Sequence, residues 1–345
     1  MKTVLSKSAL VVSILAAAGQ AFAQSEPDLD LYASFRIGID SVDAGTSDDG
    51  ANGRDYLSRI GVKGSMDLGD GLTGLAQLEY GLRSDNLVDV EQNEGPTMRL
   101  MMVGLKGDWG TVYYGSQTLV WHKFVRGSYF SDGYDSVRQG TIRDDDLLQY
   151  YYQAGDFTLG LGVQMEGQDG DSFDQFQIGG EYKAGPVTLQ AAYLKDNRGD
   201  NTGGLLGLRA WWKVTDSFTL SAYSHRADED FDLYGTSTGN VRLREAEIEG
   251  NKNGINSCIT EESSSNGIYG QYVFGKNKIH ARYAIDTCDI SGDVDSVKLE
   301  YVRSLGKNYS VWLSYEDLKN DIGRKPTTSS GDDMSELQLG VRADF

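Results

Sequence analysis

The chain has 345 residues, with 51 Asp and Glu against 32 Lys and Arg, so its formal charge is −19 at pH 7. This acidic balance argues against a nucleic-acid partner, because phosphate binding needs clustered basic side chains. The 43 glycines, 4 prolines and 20 tyrosines fit many strands and tight turns better than helices. The mean hydropathy of −0.42 fits a soluble secreted protein, but barrels with polar interiors have equally polar averages.

The N-terminus has the pattern of an export signal. Lys2 and Lys7 are followed by an apolar run over 9–18 and then by Ala21-Phe22-Ala23. A charged start, a short apolar middle and a small-x-small exit predict a secretory signal peptide over residues 1–23, too short to span a membrane as an anchor. Residues 24–345 are then expected to form one exported domain.

Apolar and polar residues alternate at both ends of that domain. Successive side chains of a strand point to opposite faces, so alternation puts apolar groups on one face and polar groups on the other. The apolar positions are Leu29, Leu31, Ala33, Phe35, Ile37 and Ile39 at the start, and Leu337, Leu339, Val341, Ala343 and Phe345 at the end. A sheet whose two end strands both alternate can close on itself, with lipid outside and water inside.

The connections between the alternating stretches differ regularly in length. Tight turns rich in Gly, Asn and Asp, which tolerate hairpin geometry, lie near 68–71, 107–110, 154–156, 183–186, 214–217, 275–278 and 305–308. Longer polar segments cover 43–54, 86–96, 122–145, 168–174, 196–204, 231–266, 287–294 and 320–333. Seven turns and eight loops join sixteen strands. The sequence therefore predicts an all-β fold, a transmembrane antiparallel β-barrel with short periplasmic turns and long extracellular loops.

The third long segment, 122–145, combines charged and aromatic side chains. We expect it to follow a strand that runs from Thr111 to Trp121 and to precede another that runs from Asp146 to Gln153. It mixes Asp132, Asp135, Arg138 and Arg143 with the aromatic residues Phe130 and Tyr134. It is therefore the segment in which functional charges are expected.

Four motifs resemble the opening strands of a known family. They are Asp30-Leu31-Tyr32, Ser58-Arg59-Ile60-Gly61-Val62-Lys63-Gly64, Gly74-Leu75-Ala76-Gln77-Leu78-Glu79-Tyr80 and Arg99-Leu100-Met101-Met102-Val103-Gly104-Leu105-Lys106. In this order, and with the terminal Phe345, they resemble a Gram-negative general porin from Asp30 to Phe345. The resemblance implies a homotrimer in the outer membrane, with the third loop folded into each pore. It also implies passive diffusion of small hydrophilic solutes and ions, without a cofactor.

The resemblance also assigns a pore constriction, in which basic wall residues face acidic residues of the third loop. By matching position, Arg59 and Arg99 are wall arginines, Glu79 lies beside them, and Arg143 at the loop exit is a further member. The loop departs from the Pro-Glu-Phe-Gly-Gly core of the family and has Phe130-Ser131-Asp132-Gly133-Tyr134-Asp135 instead. Asp132 and Asp135 are the expected acidic partners; the alternative is that they are solvated loop charges.

The alternation supports part of this assignment. Arg59 falls on the other face of its strand from the apolar Ile60, and Glu79 falls on the other face from Leu78, as expected of interior residues. Arg99 instead shares its face with Met101 and Val103, so its orientation stays open.

Other segments suggest partners outside the pore. The loop over 86–96, with Glu91 and Glu94, corresponds to the family loop that latches onto a neighbouring subunit. Divalent cations could bridge loop carboxylates to lipopolysaccharide phosphates, and the densest acidic patch consists of Glu166, Asp169, Asp171 and Asp174. The residue order does not match a dedicated calcium loop.

The two cysteines, Cys258 and Cys288, favour one disulfide in an exported chain, with two independent thiols as the alternative.

A Gly-x-Ser-x-Gly pattern over 235–239 lacks the strand and helix that a nucleophile elbow needs. The three histidines, His122, His225 and His280, show no metal-ligand spacing. The sequence therefore predicts neither an enzyme nor a metal site. A barrel hydrolase, an oligosaccharide-selective channel using Trp121, Tyr134 and Trp211, and a soluble binding protein remain the alternatives.

Overall fold

Strands account for almost all of the regular structure. The computed structural model describes residues 26–43, 50–82, 97–125, 129–132, 142–165, 173–197, 203–228, 262–288, 292–320 and 333–345. Over this part of the chain, none of the helices has both the length and the apolar character that a membrane-crossing helix requires. The predicted signal peptide, Glu91, Glu94, Asp135 and Cys258 lie outside the described residues.

The described chain contains seventeen strand segments and one short helix, α1 (Val120–Val125), between β6 and β7. The strands are β1 (Asp28–Asp43), β2 (Gly50–Asp55), β3 (Arg59–Gly69), β4 (Leu72–Gly81), β5 (Thr97–Gly107), β6 (Gly110–Thr118), β7 (Arg143–Ala154), β8 (Phe157–Gln164), β9 (Gln175–Ala184), β10 (Val187–Asp196), β11 (Gly204–Lys213), β12 (Phe218–Ala227), β13 (Ser263–Phe274), β14 (Asn277–Cys288), β15 (Gly292–Ser304), β16 (Tyr309–Asn320) and β17 (Asp333–Asp344).

The sheet closes because β1 pairs with the last strand as well as with the next one. Ile37 lies opposite Val341 of β17 on one side and opposite Asp55 of β2 on the other. β2 and β3 both pair with β1, one beyond the other, and together form a single barrel strand. Every pairing is antiparallel, so the fold is the closed sixteen-stranded barrel that the sequence predicts.

Several predicted boundaries are wrong; β7 begins at Arg143 instead of Asp146, and β13 begins at Ser263, inside the predicted loop 231–266. The segment 43–54 was expected to be loop, but β2 begins at Gly50 and pairs with β1 from Val42 onward. The strand after Thr111 was expected to reach Trp121, but β6 ends at Thr118 and Trp121 lies in α1. In these last two places a short stretch of mixed residues is compatible with strand, loop or helix, and contacts across the barrel decide between them.

The two faces of the sheet are reversed relative to a soluble protein. Large apolar side chains face outward, with 77% of Leu31, 62% of Ile268 and 58% of Leu339 exposed. Polar and charged side chains, among them Gln177 and Lys298, are buried on the inner face. An outer apolar surface around a polar interior is the arrangement that a hydrocarbon solvent requires of a barrel.

Hydrogen bonds and ring packing hold the interruption between β2 and β3. Leu57 has a left-handed φ of 65°, which interrupts the extended backbone at this point. The Tyr56 amide donates to the Arg36 carbonyl at 2.7 Å, and the Ser58 amide donates to Asp55 Oδ1 at 2.7 Å. The buried Tyr56 ring then packs edge-on against Trp312 of β16, with centroids 5.5 Å apart. The break therefore fixes the position of the first residues of β3.

Candidate functional site

Three of the predicted site residues meet on the inner wall of β3, β4 and β5. Arg99 Nε donates to Glu79 Oε1 at 2.7 Å, and Arg59 Nε lies 3.6 Å from Glu79 Oε2. All three side chains are mostly buried in the wall yet retain some exposure to the interior. Two guanidinium groups around one carboxylate leave this part of the wall with a net positive charge.

A β-bulge explains why Arg99 faces inward although Met101 and Val103, which alternation places on the same face, are exposed outward. Across β4 and β5, Glu79 pairs with Leu100 and Tyr80 pairs with Met98, so Arg99 is an extra residue on β5. A bulge adds one residue to one strand and re-aims the side chains around it. Met101, which is 56% exposed, therefore faces outward while Arg99 reaches Glu79 inside. This resolves the orientation that alternation left open.

Further polar groups hold the Glu79 carboxylate in place. The Tyr32 hydroxyl donates to Glu79 Oε2 at 3.0 Å, and Gln77 Nε2 donates to the Tyr32 oxygen at 2.8 Å. The Lys63 ammonium lies 5.1 Å from the centroid of the Tyr32 ring, within cation–π distance. Gly61 leaves room for that ring, since a Cβ there would lie 2.5 Å from it. The wall on this side is thus a connected network rather than a set of separate charges.

Arg36 of β1 is a basic wall residue that the sequence did not assign to the site. It is 6% exposed, and its Nη1 donates to the Ser131 carbonyl of the third loop at 3.4 Å. Its backbone amide donates to Ser58 Oγ at 2.9 Å, which ties it to the β2–β3 break. Arg36 therefore connects the basic wall directly to the loop.

The first part of the third loop lies against the inside of the barrel through α1. Phe124 and Val125 of this helix are buried against inward-facing glycines of β8, β9 and β11. A Cβ at Gly160 would lie 2.7 Å from the Phe124 ring, and a Cβ at Gly179 or Gly207 would overlap Phe124 or Val125. These glycines form a seat for the helix, because only a residue without a side chain lets it approach so closely.

Polar contacts fix the same helix to the seat. The Trp121 amide donates to Gln177 Oε1 at 3.2 Å, and the Trp121 ring meets His225 edge-on with centroids 4.8 Å apart. His225 Nε2 lies 3.0 Å from the Val125 carbonyl oxygen. The inward fold of the third loop, which the resemblance implied, thus begins directly after β6.

Asp132 has a different partner from the one expected. Its side chain is fully buried, and its Oδ2 lies 2.5 Å from Lys298 Nζ of β15. The preceding residue, Ser131, donates its amide and hydroxyl hydrogens to Glu300 at 2.9 and 3.1 Å. Residues 131 and 132 thus bind β15, beside the Arg36 contact to Ser131, whereas Arg59 and Arg99 were the expected partners of Asp132.

The remaining predicted residues lie apart from this cluster. Arg143 is the first residue of β7, opposite Thr118 of β6, so it stands beside the start of α1. Cys288 ends β14, and a disulfide with Cys258 stays a prediction. Asp174, the one member of the acidic patch within the described residues, is 1% exposed.

Charged side chains are grouped on neighbouring parts of the inner wall. Arg36, Arg59 and Arg99 stand on β1–β5, and Lys298, Glu300 and Glu316 lie on β15 and β16, which only β17 separates from β1. Fixed charges on low-dielectric walls focus the field in the water beside them. Such a field favours small polar solutes that can align in it, and it biases ions by their sign.

Comparison with known proteins identifies the family. A family model described as Gram-negative porin matches residues 8–323. The chain belongs to the Gram-negative porin family. An outer membrane porin protein of Bordetella pertussis is 27% identical over 236 residues, which cover 56% of this chain and 61% of that protein. Family membership and the barrel together confirm the predicted outer-membrane location.

Solved porin structures share the architecture. The anion-selective porin from Comamonas acidovorans superposes with a TM-score of 0.70 at 18% identity, covering 93% of this chain and 100% of that one. The trimer form of OmpT from Vibrio cholerae gives a TM-score of 0.64 at 15% identity, with coverage of 93% and 100%. These likenesses concern the fold. In sequence, the chain spans between 57% and 61% of the length of the first curated relatives it matches.

Proposed function

We propose that this porin forms a water-filled channel through the outer membrane for passive diffusion of small hydrophilic solutes and ions. The observation that carries the proposal is the closed barrel with charged and amide side chains on its inner wall and part of the third loop inside it. A polar interior across a membrane gives water and dissolved solutes a path that hydrocarbon denies them.

We also propose that the channel is a homotrimer, as the family resemblance implies. Outer-membrane barrels carry Tyr and Trp where their surface meets the lipid headgroups. From β6 onward the outer surface has such residues, including Tyr114, Trp212, Tyr272 and Tyr301. In the described parts of β1–β5, the exposed large apolar residues are Leu, Ile, Met, Val and one Phe. An outer face with so few exposed aromatic rings among its described residues suits contact with other copies of the chain better than contact with lipid.

The diffusion function is tested by solute uptake into liposomes that contain the purified protein. Sugars of increasing size should enter at rates that fall steeply with size, and uptake should rise in proportion to concentration without saturating. The control is the same liposomes prepared with heat-denatured protein. If no sugar enters faster than in the control, diffusion through the barrel is ruled out.

A solute-selective channel is the second candidate, and one cluster favours it. Trp211 and Tyr269 of the inner wall meet Tyr129 of the third loop, with ring centroids 4.5 to 5.8 Å apart, and the Arg209 guanidinium lies 4.3 Å from the Trp211 ring. Aromatic faces beside polar groups can hold a flat solute. Trp121, a residue predicted for this role, is a fully buried residue of α1 and is not available to a solute. Saturable, competitively blocked uptake would favour this candidate over simple diffusion.

A further inference from the structure

We propose that Lys298 and Asp132 form a latch that holds the third loop against the β13–β16 wall and so sets the width of the pore. This inference rests on the proposed channel function for its consequence, but the latch itself is a feature of the folded chain. Lys298 acts as a positioning residue, because it contacts the loop rather than the solute.

The geometry of the pair is that of a strong interaction. Lys298 and Asp132 have fully buried side chains, and their charged atoms are 2.5 Å apart. Lys298 also lies 3.3 Å from Glu316, which accepts a hydrogen bond from Arg282 at 3.0 Å. Acidic and basic groups thus alternate in the order Asp132, Lys298, Glu316 and Arg282. Removing one of them leaves the buried charge of its neighbour only partly neutralised.

Each of the two residues before Asp132 adds a contact with the same wall. The Phe130 ring is 5% exposed and lies under Lys298 and Arg282, whose charged atoms are 5.0 and 5.4 Å from its centroid. Ser131 donates two hydrogen bonds to Glu300. The three consecutive residues therefore occupy one socket, with Lys298 at its centre.

The socket and the helix seat hold the loop at two places. α1 is fixed on β8–β11 by apolar contact with glycines. Residues 130–132 are fixed on β13–β16 by charge and hydrogen bonds, and Arg36 of β1 adds one hydrogen bond to Ser131. These contacts lie on different parts of the wall. Loss of the charged contacts should therefore free residues 130–132 from the wall, while α1 stays packed on the glycines.

The test compares Lys298→Met and Asp132→Asn with the matched control Lys213→Met, whose ammonium forms an exposed pair with Asp216 at the barrel rim. Removing one partner of a buried pair should raise the ratio of released to seated loop on the order of a hundredfold. Amide exchange of Ser131 in detergent micelles should accelerate by that factor, while exchange in β8 and β9 stays unchanged. Lys298→Arg should restore slow exchange.

Single-channel recording then reads out the consequence. Lys298→Met and Asp132→Asn should both show larger, noisier open-channel currents, and the double variant should differ little from either single one because the two residues act as a pair.

Asp132→Asn leaves every strand intact, so it tests the latch even if Lys298→Met fails to assemble. Unchanged Ser131 exchange in Asp132→Asn would overturn the proposal. Accelerated exchange with wild-type currents would show that the latch does not set the pore width. A wild-type protein without currents would refute the channel function instead, since the exchange measurement does not depend on it.

Discussion

Glu79 is the residue on which the charge balance of the basic wall depends. Its carboxylate accepts a hydrogen bond from Arg99 Nε at 2.7 Å and lies 3.6 Å from Arg59 Nε. The three groups together therefore carry one net positive charge. Because fixed charges near a narrow aqueous gap bias ions by sign, changes on either side of this balance should have opposite effects.

We predict that Glu79→Gln shifts the reversal potential in a salt gradient toward anion preference. The pair Arg59→Ala and Arg99→Ala should shift it toward cations and raise the conductance, since two long side chains are lost. Both shifts should be larger in dilute salt, because the screening length falls from about 10 Å at 0.1 M to about 3 Å at 1 M. Asp216→Asn, in an exposed turn, is the control. Shifts of the same sign in the Glu79 and arginine variants would show that these residues do not line the conducting path.

At the scale of elements, the decisive contact is between α1 and the glycines of the wall. Gly179 and Gly180 are neighbours on β9 that face opposite sides of the sheet. A Cβ at Gly179 would overlap the Phe124 ring, whereas a Cβ at Gly180 would lie 3.6 Å from its nearest neighbour, an ordinary contact distance.

Gly179→Ala should therefore displace α1 and alter the single-channel conductance, at a cost of about 1–3 kcal/mol for an overpacked site. Gly180→Ala should leave conductance and thermal stability close to those of the wild type. Comparing the two variants by single-channel recording and thermal unfolding separates the seat from a general effect of glycine loss. Equal behaviour of the two alanine variants would contradict a tightly seated helix.

The sequence predicted the elements better than their contacts. Alternation and turn residues depend on neighbours along the chain, so strand number and face orientation could be derived from them. The bulge at Arg99 could not, because its register is set by pairing with β4. Nor could the Asp132–Lys298 pair, whose members are separated by 166 residues and meet only once the barrel has closed. The glycines under α1 were visible in the sequence, but their role becomes evident only when the helix lies over them.

For the whole molecule, the central feature is that the outer face of the sheet contacts lipid and the inner face contacts water. Leu189 and Thr188 are neighbours on β10, and Leu189 is 49% exposed on the outer face. Leu189→Arg should destabilise the folded barrel in lipid, by up to about 2–4 kcal/mol if the position lies near the bilayer midplane. Thr188→Arg, directed to the interior, should cost much less. Equal losses of the free energy of unfolding in lipid vesicles would argue that the faces are not divided in this way.

The most direct test of the account is a planar-bilayer recording of the detergent-purified wild-type protein in a salt gradient. A water-filled barrel should give stepwise current increases, grouped in threes if the barrels insert as trimers, with a current proportional to voltage at small potentials. A correctly folded protein that enters the bilayer and yet leaves its conductance at the level of bare lipid would contradict the account, because the barrel would then enclose no continuous water path.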